Sequence, residues 1–206
     1  MKRCVIVGNA NISNYTLIKE YLNDDDFIVY CDGGLKHLQG LDRIPDLIVG
    51  DFDSIDNPHM DVETIVLPCE KDDTDTVYAV KECIKRGFDE FVLMGVVGER
   101  LDHTLGNVYI LVSLYEKGLH GLILDDYSEM CLVSDNGEYV EDKYSYFSII
   151  ALSDEVTGID EVDAKYPLSN ASIKSGYQYG ISNEVLPGKK SFIKKKSGNL
   201  LLIKVF

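Results

Sequence analysis

The sequence predicts an α/β N-terminal domain on a mostly parallel, Rossmann-like sheet, followed by an all-β C-terminal sandwich domain. Three observations lead there. Short β-branched runs alternate with helical patterns through residues 1–126, the signature of a sheet covered by helices. Polar, glycine-containing clusters follow directly on several of those runs. Over residues 127–206 the texture changes to short alternating runs separated by turn residues, with no long helix. The expected domains are therefore 1–126 and 127–206.

The predicted strands of the first domain are 3–7, 27–31, 46–49, 63–67, 91–94 and 122–124, each apolar enough to be buried on both faces. A helix is predicted over 74–86, where Val77, Val80 and Ile84 share a face and Gly87 stops it. Another is predicted over 103–116, with Leu105, Val108, Val112 and Tyr115 at helical spacing and Gly118 beyond its end. In the second domain Asn136-Gly137 and Ser197-Gly198-Asn199 each sit between apolar runs and read as hairpin turns.

Composition narrows the function. A net charge of -15 excludes a grip on nucleic acid, which needs clustered Lys and Arg. The basic run around Lys189-Lys190 and Lys194 to Lys196 is broken by Phe192 and Ile193 and reads as a solvated strand and turn. Five cysteines form no Cys-x-x-Cys pair and sit mostly in apolar runs, as reduced thiols do. The apolar run after Lys2-Arg3 is too short for a signal sequence, and no apolar stretch reaches the roughly 18 residues of a membrane span. A cytoplasmic protein that does not engage membrane is expected.

In open α/β sheets ligands bind beyond the carboxyl ends of the strands, so four clusters there carry the chemistry. Asp32-Gly33-Gly34 follows the run ending at Cys31. Its glycines allow backbone N–H groups to approach a phosphate, and its carboxylate can meet ribose, metal or a bound water, although a tight turn explains it as well. Gly50-Asp51-Phe52-Asp53-Ser54 follows the next run. Alternate residues of extended chain point the same way, so Asp51 and Asp53 can converge on one Mg²⁺.

Lys71-Asp72-Asp73-Thr74-Asp75 opens the first long helix. Capping accounts for Thr74 and for acids in a first turn. The density of acids exceeds that need: Asp75 can complete the metal site of Asp51 and Asp53, and Lys71 can neutralise phosphate. The last cluster runs from Gly95 through Gly98-Glu99-Arg100-Leu101-Asp102-His103, with Asn107 one turn on. Arg100 offers a fixed fork of donors for phosphate, while Asp102 also fits a helix cap and His103 a partly buried helix position. Neither a P-loop nor a Gly-x-Gly-x-x-Gly fingerprint is present.

Taken in order, these clusters resemble the thiamine pyrophosphokinase family. The likeness rests on Asp32-Gly33-Gly34, on Pro45 with Val49 through Ser54, on Lys71-Asp72-x-Thr74-Asp75, and on Gly98-x-Arg100-x-Asp102-His103 with Asn107. Lys165-Tyr166-Pro167-Leu168 and Gly180-Ile181-Ser182-Asn183-Glu184 extend it through the second half. Two departures stand out: residues 158–164 are more acidic than the family's usual form, and the chain has no Trp.

The resemblance implies transfer of a diphosphoryl group from ATP to thiamine, giving thiamine diphosphate and AMP. It implies ATP binding by residues 1–126, thiamine binding by 127–206, and a homodimer with the acceptor site at the subunit interface. It assigns Asp51, Asp53 and Asp75 to Mg²⁺, and Asp32, Gly33, Gly34, Lys71, Asp72, Thr74, Arg100, His103 and Asn107 to the nucleotide. Ser182 and Asn183 would contact thiamine, and Asp75 or Asp102 would accept the hydroxyl proton. The rivals are a diphosphokinase for another hydroxymethyl acceptor such as a pterin, an inactive nucleotide-binding sensor, and a metal-dependent phosphohydrolase.

Overall fold

A computed structural model describes residues 2–52, 59–70, 72–98 and 100–206. The chain divides into two compact units, Met1–Asp126 and Tyr127–Phe206.

In chain order the first unit contains β1 (Arg3–Val7), α1 (Tyr15–Lys19), β2 (Phe27–Cys31), a 3-10 segment (Asp32–His37), α2 (Leu38–Leu41), β3 (Leu47–Gly50), β4 (Glu63–Val66), α3 (Asp75–Lys85), β5 (Glu90–Met94), α4 (Leu101–Glu116) and β6 (His120–Leu124). Its strands lie in the order β4-β3-β2-β1-β5-β6, every pair parallel. The mostly parallel sheet predicted from the alternation is thus the fold of this unit.

Burial follows from hydrophobic content. β1, β2, β3 and β5 are buried along almost their whole length, as central strands covered on both faces must be. β4 corrects the expectation of burial on both faces: it is the edge strand, and Val66 is 63% exposed. α3 turns Ala79, Val80 and Cys83 inward. α4 buries Asn107, Val108, Ile110, Leu111 and Leu114, whereas Leu105, expected on the inner face, is 51% exposed. A helix apolar on most sides offers several seams of equal spacing, and packing selects among them. Cys4, Cys31 and Cys83 are buried, Cys131 partly so, and Cys69 is exposed.

The second unit contains β7 (Ser128–Leu132), β8 (Glu138–Glu141), β9 (Tyr146–Ala151), β10 (Glu155–Val162), β11 (Leu168–Lys174), β12 (Lys190–Lys194) and β13 (Leu200–Val205). One layer has the order β7-β13-β9 and the other β11-β10-β12-β8. Phe147, Ile149, Leu200 and Leu202 from the first layer share a core with Val140, Val156, Ile159, Ile173 and Ile193 from the second. Interleaving of two apolar faces makes this a sandwich.

Neither predicted hairpin forms. β7 pairs with β13 and β8 with β12, so Asn136-Gly137 and Ser197-Gly198-Asn199 carry the chain from one layer to the other. Turn chemistry specifies a reversal, and the burial of both apolar faces decides the partner. Among the described residues no helix is long and apolar enough to cross a membrane.

Candidate active site

β1 has β2 on one side and β5 on the other, so the chain changes direction across the sheet between β1 and β5. In open α/β sheets the ligand crevice lies beyond the strands' carboxyl ends at such a switch point. There the loops after β1 and β5 are tied together: Gly8 N–H donates to the Met94 carbonyl at 2.8 Å and Ala10 N–H to the Gly95 carbonyl at 2.7 Å. Gly95 has φ of 61°, and a Cβ there would lie 2.6 Å from the Gly8 carbonyl oxygen. Only glycine suits both the conformation and the approach.

A side-chain brace that sequence reading missed fixes the β1 loop. His37 is buried and its Nε2 lies 2.8 Å from the Ala10 carbonyl oxygen. A carbonyl only accepts, so Nε2 carries the proton and Nδ1 accepts from the Tyr15 hydroxyl at 2.7 Å. Burial pushes the imidazole pKa down, which favours this neutral tautomer. Asp126 completes the brace by accepting from the backbone N–H of Ser13 at 2.7 Å and of Asn14 at 2.9 Å. No local motif announces such a network, because its members lie far apart in the chain.

Three carboxylates gather on the other side of β2. Asp32, Asp51 and Asp75 each place an oxygen so that all lie within 4.8 Å of one another. Asp32 follows β2 with φ of 35°. Asp51 follows β3, and Asp75 opens α3 one residue after Thr74, whose Oγ1 accepts from Val77 N–H at 3.3 Å. Gly50 makes room: a Cβ there would stand 2.9 Å from Asp32 Cβ. Ionised carboxylates that close repel one another. A hard divalent cation relieves the repulsion and takes its ligands from carboxylate oxygens, so the donor set fits Mg²⁺.

The remaining predicted residues are distributed as follows. Asp53 and Lys71 lie outside the described residues. Gly33 and Gly34 are buried in the 3-10 turn beside Asp32; Asp72 is exposed, and its neighbour Asp73 pairs with Lys81 at 2.6 Å. Arg100 and Asp102 are exposed and paired with each other at 2.6 Å, and His103 is exposed beside them. The Arg100 guanidinium, helped by the His103 backbone, pulls the Asp102 carboxyl down to about 2. While it is paired with Arg100, a carboxylate so stabilised is a weak base.

Asn107 has a structural partner next to the β5 loop. It is buried and donates through Nδ2 to the Val96 carbonyl at 2.8 Å, so it braces the β5 loop. Thr104 does the same from the next turn, its Oγ1 accepting from Gly98 N–H at 3.1 Å.

In the second unit Ser182 and Asn183 lie on a segment bound to the edge of β9. Phe147 and Asn183 exchange both backbone hydrogen bonds, at 2.8 and 2.9 Å, and Ile149 N–H donates to the Gly180 carbonyl at 2.9 Å. Ser182 is exposed with φ of 57°, a conformation that costs a non-glycine residue energy. Its N–H donates to Ser148 Oγ at 2.9 Å.

Asn183 is 3% exposed and its amide is fully used. Nδ2 donates to Glu161 Oε2 at 2.8 Å and to the Tyr166 carbonyl at 3.0 Å, while Oδ1 accepts from Tyr166 N–H at 3.0 Å and Glu184 N–H at 2.9 Å. Four bonds exhaust the group. Asn183 thus knits the 165–166 and 182–184 segments together. Its acidic partner Glu161 is 1% exposed.

Comparison with known proteins bears on both units. The model of "Thiamin pyrophosphokinase, catalytic domain" matches residues 18–123. That of "Thiamin pyrophosphokinase, vitamin B1 binding domain" matches residues 137–200. A curated thiamine pyrophosphokinase from Bacillus subtilis (strain 168) is 28% identical over 213 residues, covering 99% of each chain. The crystal structure of thiamin pyrophosphokinase from Geobacillus thermodenitrificans superposes with a TM-score of 0.83 at 27% identity, over 99% of this chain and 97% of that one. The crystal structure of the Bacillus subtilis protein superposes with a TM-score of 0.87 at 24% identity, over 99% of each chain.

Proposed function

Since this chain belongs to the thiamine pyrophosphokinase family, we propose that Asp32, Asp51 and Asp75 form the metal-binding heart of its diphosphoryl-transfer site. The enzyme makes thiamine diphosphate from thiamine, with ATP as donor. Matches to both a catalytic and a vitamin B1-binding model leave the pterin, sensor and phosphohydrolase readings without support.

The observation that carries the proposal is the approach of the three carboxylates to within 4.8 Å at the ends of β2 and β3 and the start of α3. Mg²⁺ bound there would screen the polyphosphate charge of ATP. Asp53 is a further proposed ligand from the same loop. Gly33-Gly34 and the braced loops after β1 and β5 border the crevice, and they are proposed to receive the nucleotide. Thr74 and Asp72 flank Asp75 at the mouth of α3. Arg100, with Lys71 and His103, supplies positive charge to the phosphates, and Arg100 exchanges Asp102 for phosphate when it binds.

In the reaction the thiamine hydroxyl oxygen bonds to the β-phosphorus as the bond from that phosphorus to the α–β bridging oxygen breaks. AMP leaves with the electron pair of that bond. The hydroxyl proton passes to a carboxylate, for which Asp75 is proposed. Ser182 is proposed to meet thiamine, with Asn183 behind it. A cytoplasmic homodimer with the acceptor site at its interface completes the proposal. Incubation with ATP, Mg²⁺ and thiamine, followed by chromatography, tests it: equal amounts of thiamine diphosphate and AMP are expected, and AMP formed without thiamine would contradict it.

A further inference from the structure

Glu161 occupies an unusual place for a carboxylate. It belongs to β10, whose inward positions are otherwise apolar, as Val156 and Ile159 show. Its partners in register are Ile193 on β12 and Leu168 on β11. One oxygen, Oε2, accepts from Asn183 Nδ2, while Oε1 is buried without a hydrogen-bond partner. A half-satisfied buried carboxyl costs stability. Asn183, to which it is bonded, immediately follows Ser182 and holds both strands of the turn around it.

We propose that Glu161 is a positioning residue for the acceptor site, acting through Asn183 on Ser182 and the 165–166 turn so that its ionised form favours thiamine. This rests on the thiamine reading of the second unit. Two effects act together. An ionised carboxylate accepts the Asn183 N–H more strongly than a neutral one, and a negative charge in a low-dielectric interior attracts the thiazolium cation.

Burial raises the Glu161 pKa to about 7, against which the Asn183 bond acts weakly. Its ionisation therefore falls in the range where enzymes work, and residues 127–206 contain no histidine to compete with it. The charged groups on the surrounding elements are engaged with each other: Lys165 with Glu184 at 2.7 Å, Lys194 with Asp160 at 3.3 Å, Lys190 with Glu141 at 2.7 Å and Lys189 with Asp163 at 3.9 Å. β9 carries no charged side chain, and Lys174 sits opposite Glu155 at the other end of β10. Tyr166 contributes its main chain to Asn183.

The test is the pH dependence of KM for thiamine and for ATP in the wild type and in Glu161→Gln, which keeps an oxygen acceptor for Asn183 but has no charge. Between about pH 6 and pH 8 the wild-type KM for thiamine is expected to fall about five-fold or more, without a matching fall for ATP. Glu161→Gln is expected to hold the wild type's acidic value throughout. A variant that retains the wild-type fall, or a wild type with no fall, overturns the inference. Absence of thiamine-dependent AMP in the wild type would instead remove the thiamine reading itself, and the inference with it.

A second measurement needs no variant. In protein labelled with ¹³C at glutamate carboxyls, one resonance should titrate near neutrality, with a midpoint that thiamine lowers. A midpoint indifferent to thiamine overturns the coupling.

Discussion

Asp32 and Asp75 present carboxylate oxygens within 4.8 Å of each other, although one ends a strand through a left-handed backbone and the other opens a helix. With Asp51 they form the cluster proposed to hold a divalent ion. Asp32→Asn and Asp51→Asn should each lower turnover by roughly 100-fold or more, the scale of losing a charge-positioning group. Melting should stay cooperative in the absence of Mg²⁺, so that the loss is of turnover and not of fold. Steady-state assays paired with thermal melts check both parts.

The small residue at position 50 is the second point of leverage. Gly50→Ala sets a Cβ 2.9 Å from Asp32 Cβ, so Asp32 must shift. Overpacking of this kind costs about 1–3 kcal/mol. A fall in stability with an activity loss larger than unfolding accounts for is expected from denaturant titration and kinetics on the same preparation.

Asn107→Ala removes the donor to the buried Val96 carbonyl. An unmet buried acceptor costs about 1–3 kcal/mol, and the β5 loop bordering the crevice loses its tether. KM for ATP should rise while KM for thiamine holds. Equal changes in both would point to general unfolding.

Glu161 makes a stability prediction separate from catalysis. Its pKa is raised from 4.5 to about 7 in the folded chain, so between these values the native state holds a proton that the unfolded chain has lost. Stability therefore falls as pH rises through that window and is flat above it. The full penalty is on the order of 3 kcal/mol. Glu161→Gln should gain stability over the wild type at pH above about 7 and little below about 4.5, as urea melts at the two pH values will show.

Much of this was legible in the sequence. The parallel sheet followed from buried β-branched runs, since a strand covered on both faces must be apolar throughout, and α3 announced itself by Thr74 and the face of Val80. Asp51 and Asp75 were readable because each sits next to an element boundary. Asp32 was readable only as a carboxylate open to several uses, because its place in the cluster depends on β2 and β3 being neighbours and on the space left by Gly50. The layer-crossing turns, the seam of α4 and the amides of Asn107 and Asn183 were hidden for a common reason. Each is decided by a partner distant in the chain, which local spacing does not encode.

The most direct measurement is anomalous diffraction from crystals grown with Mn²⁺ and a non-hydrolysable ATP analogue. The account predicts a metal peak within bonding distance of Asp32, Asp51 and Asp75. A nucleotide-bound, active form whose metal touches none of the three would contradict it.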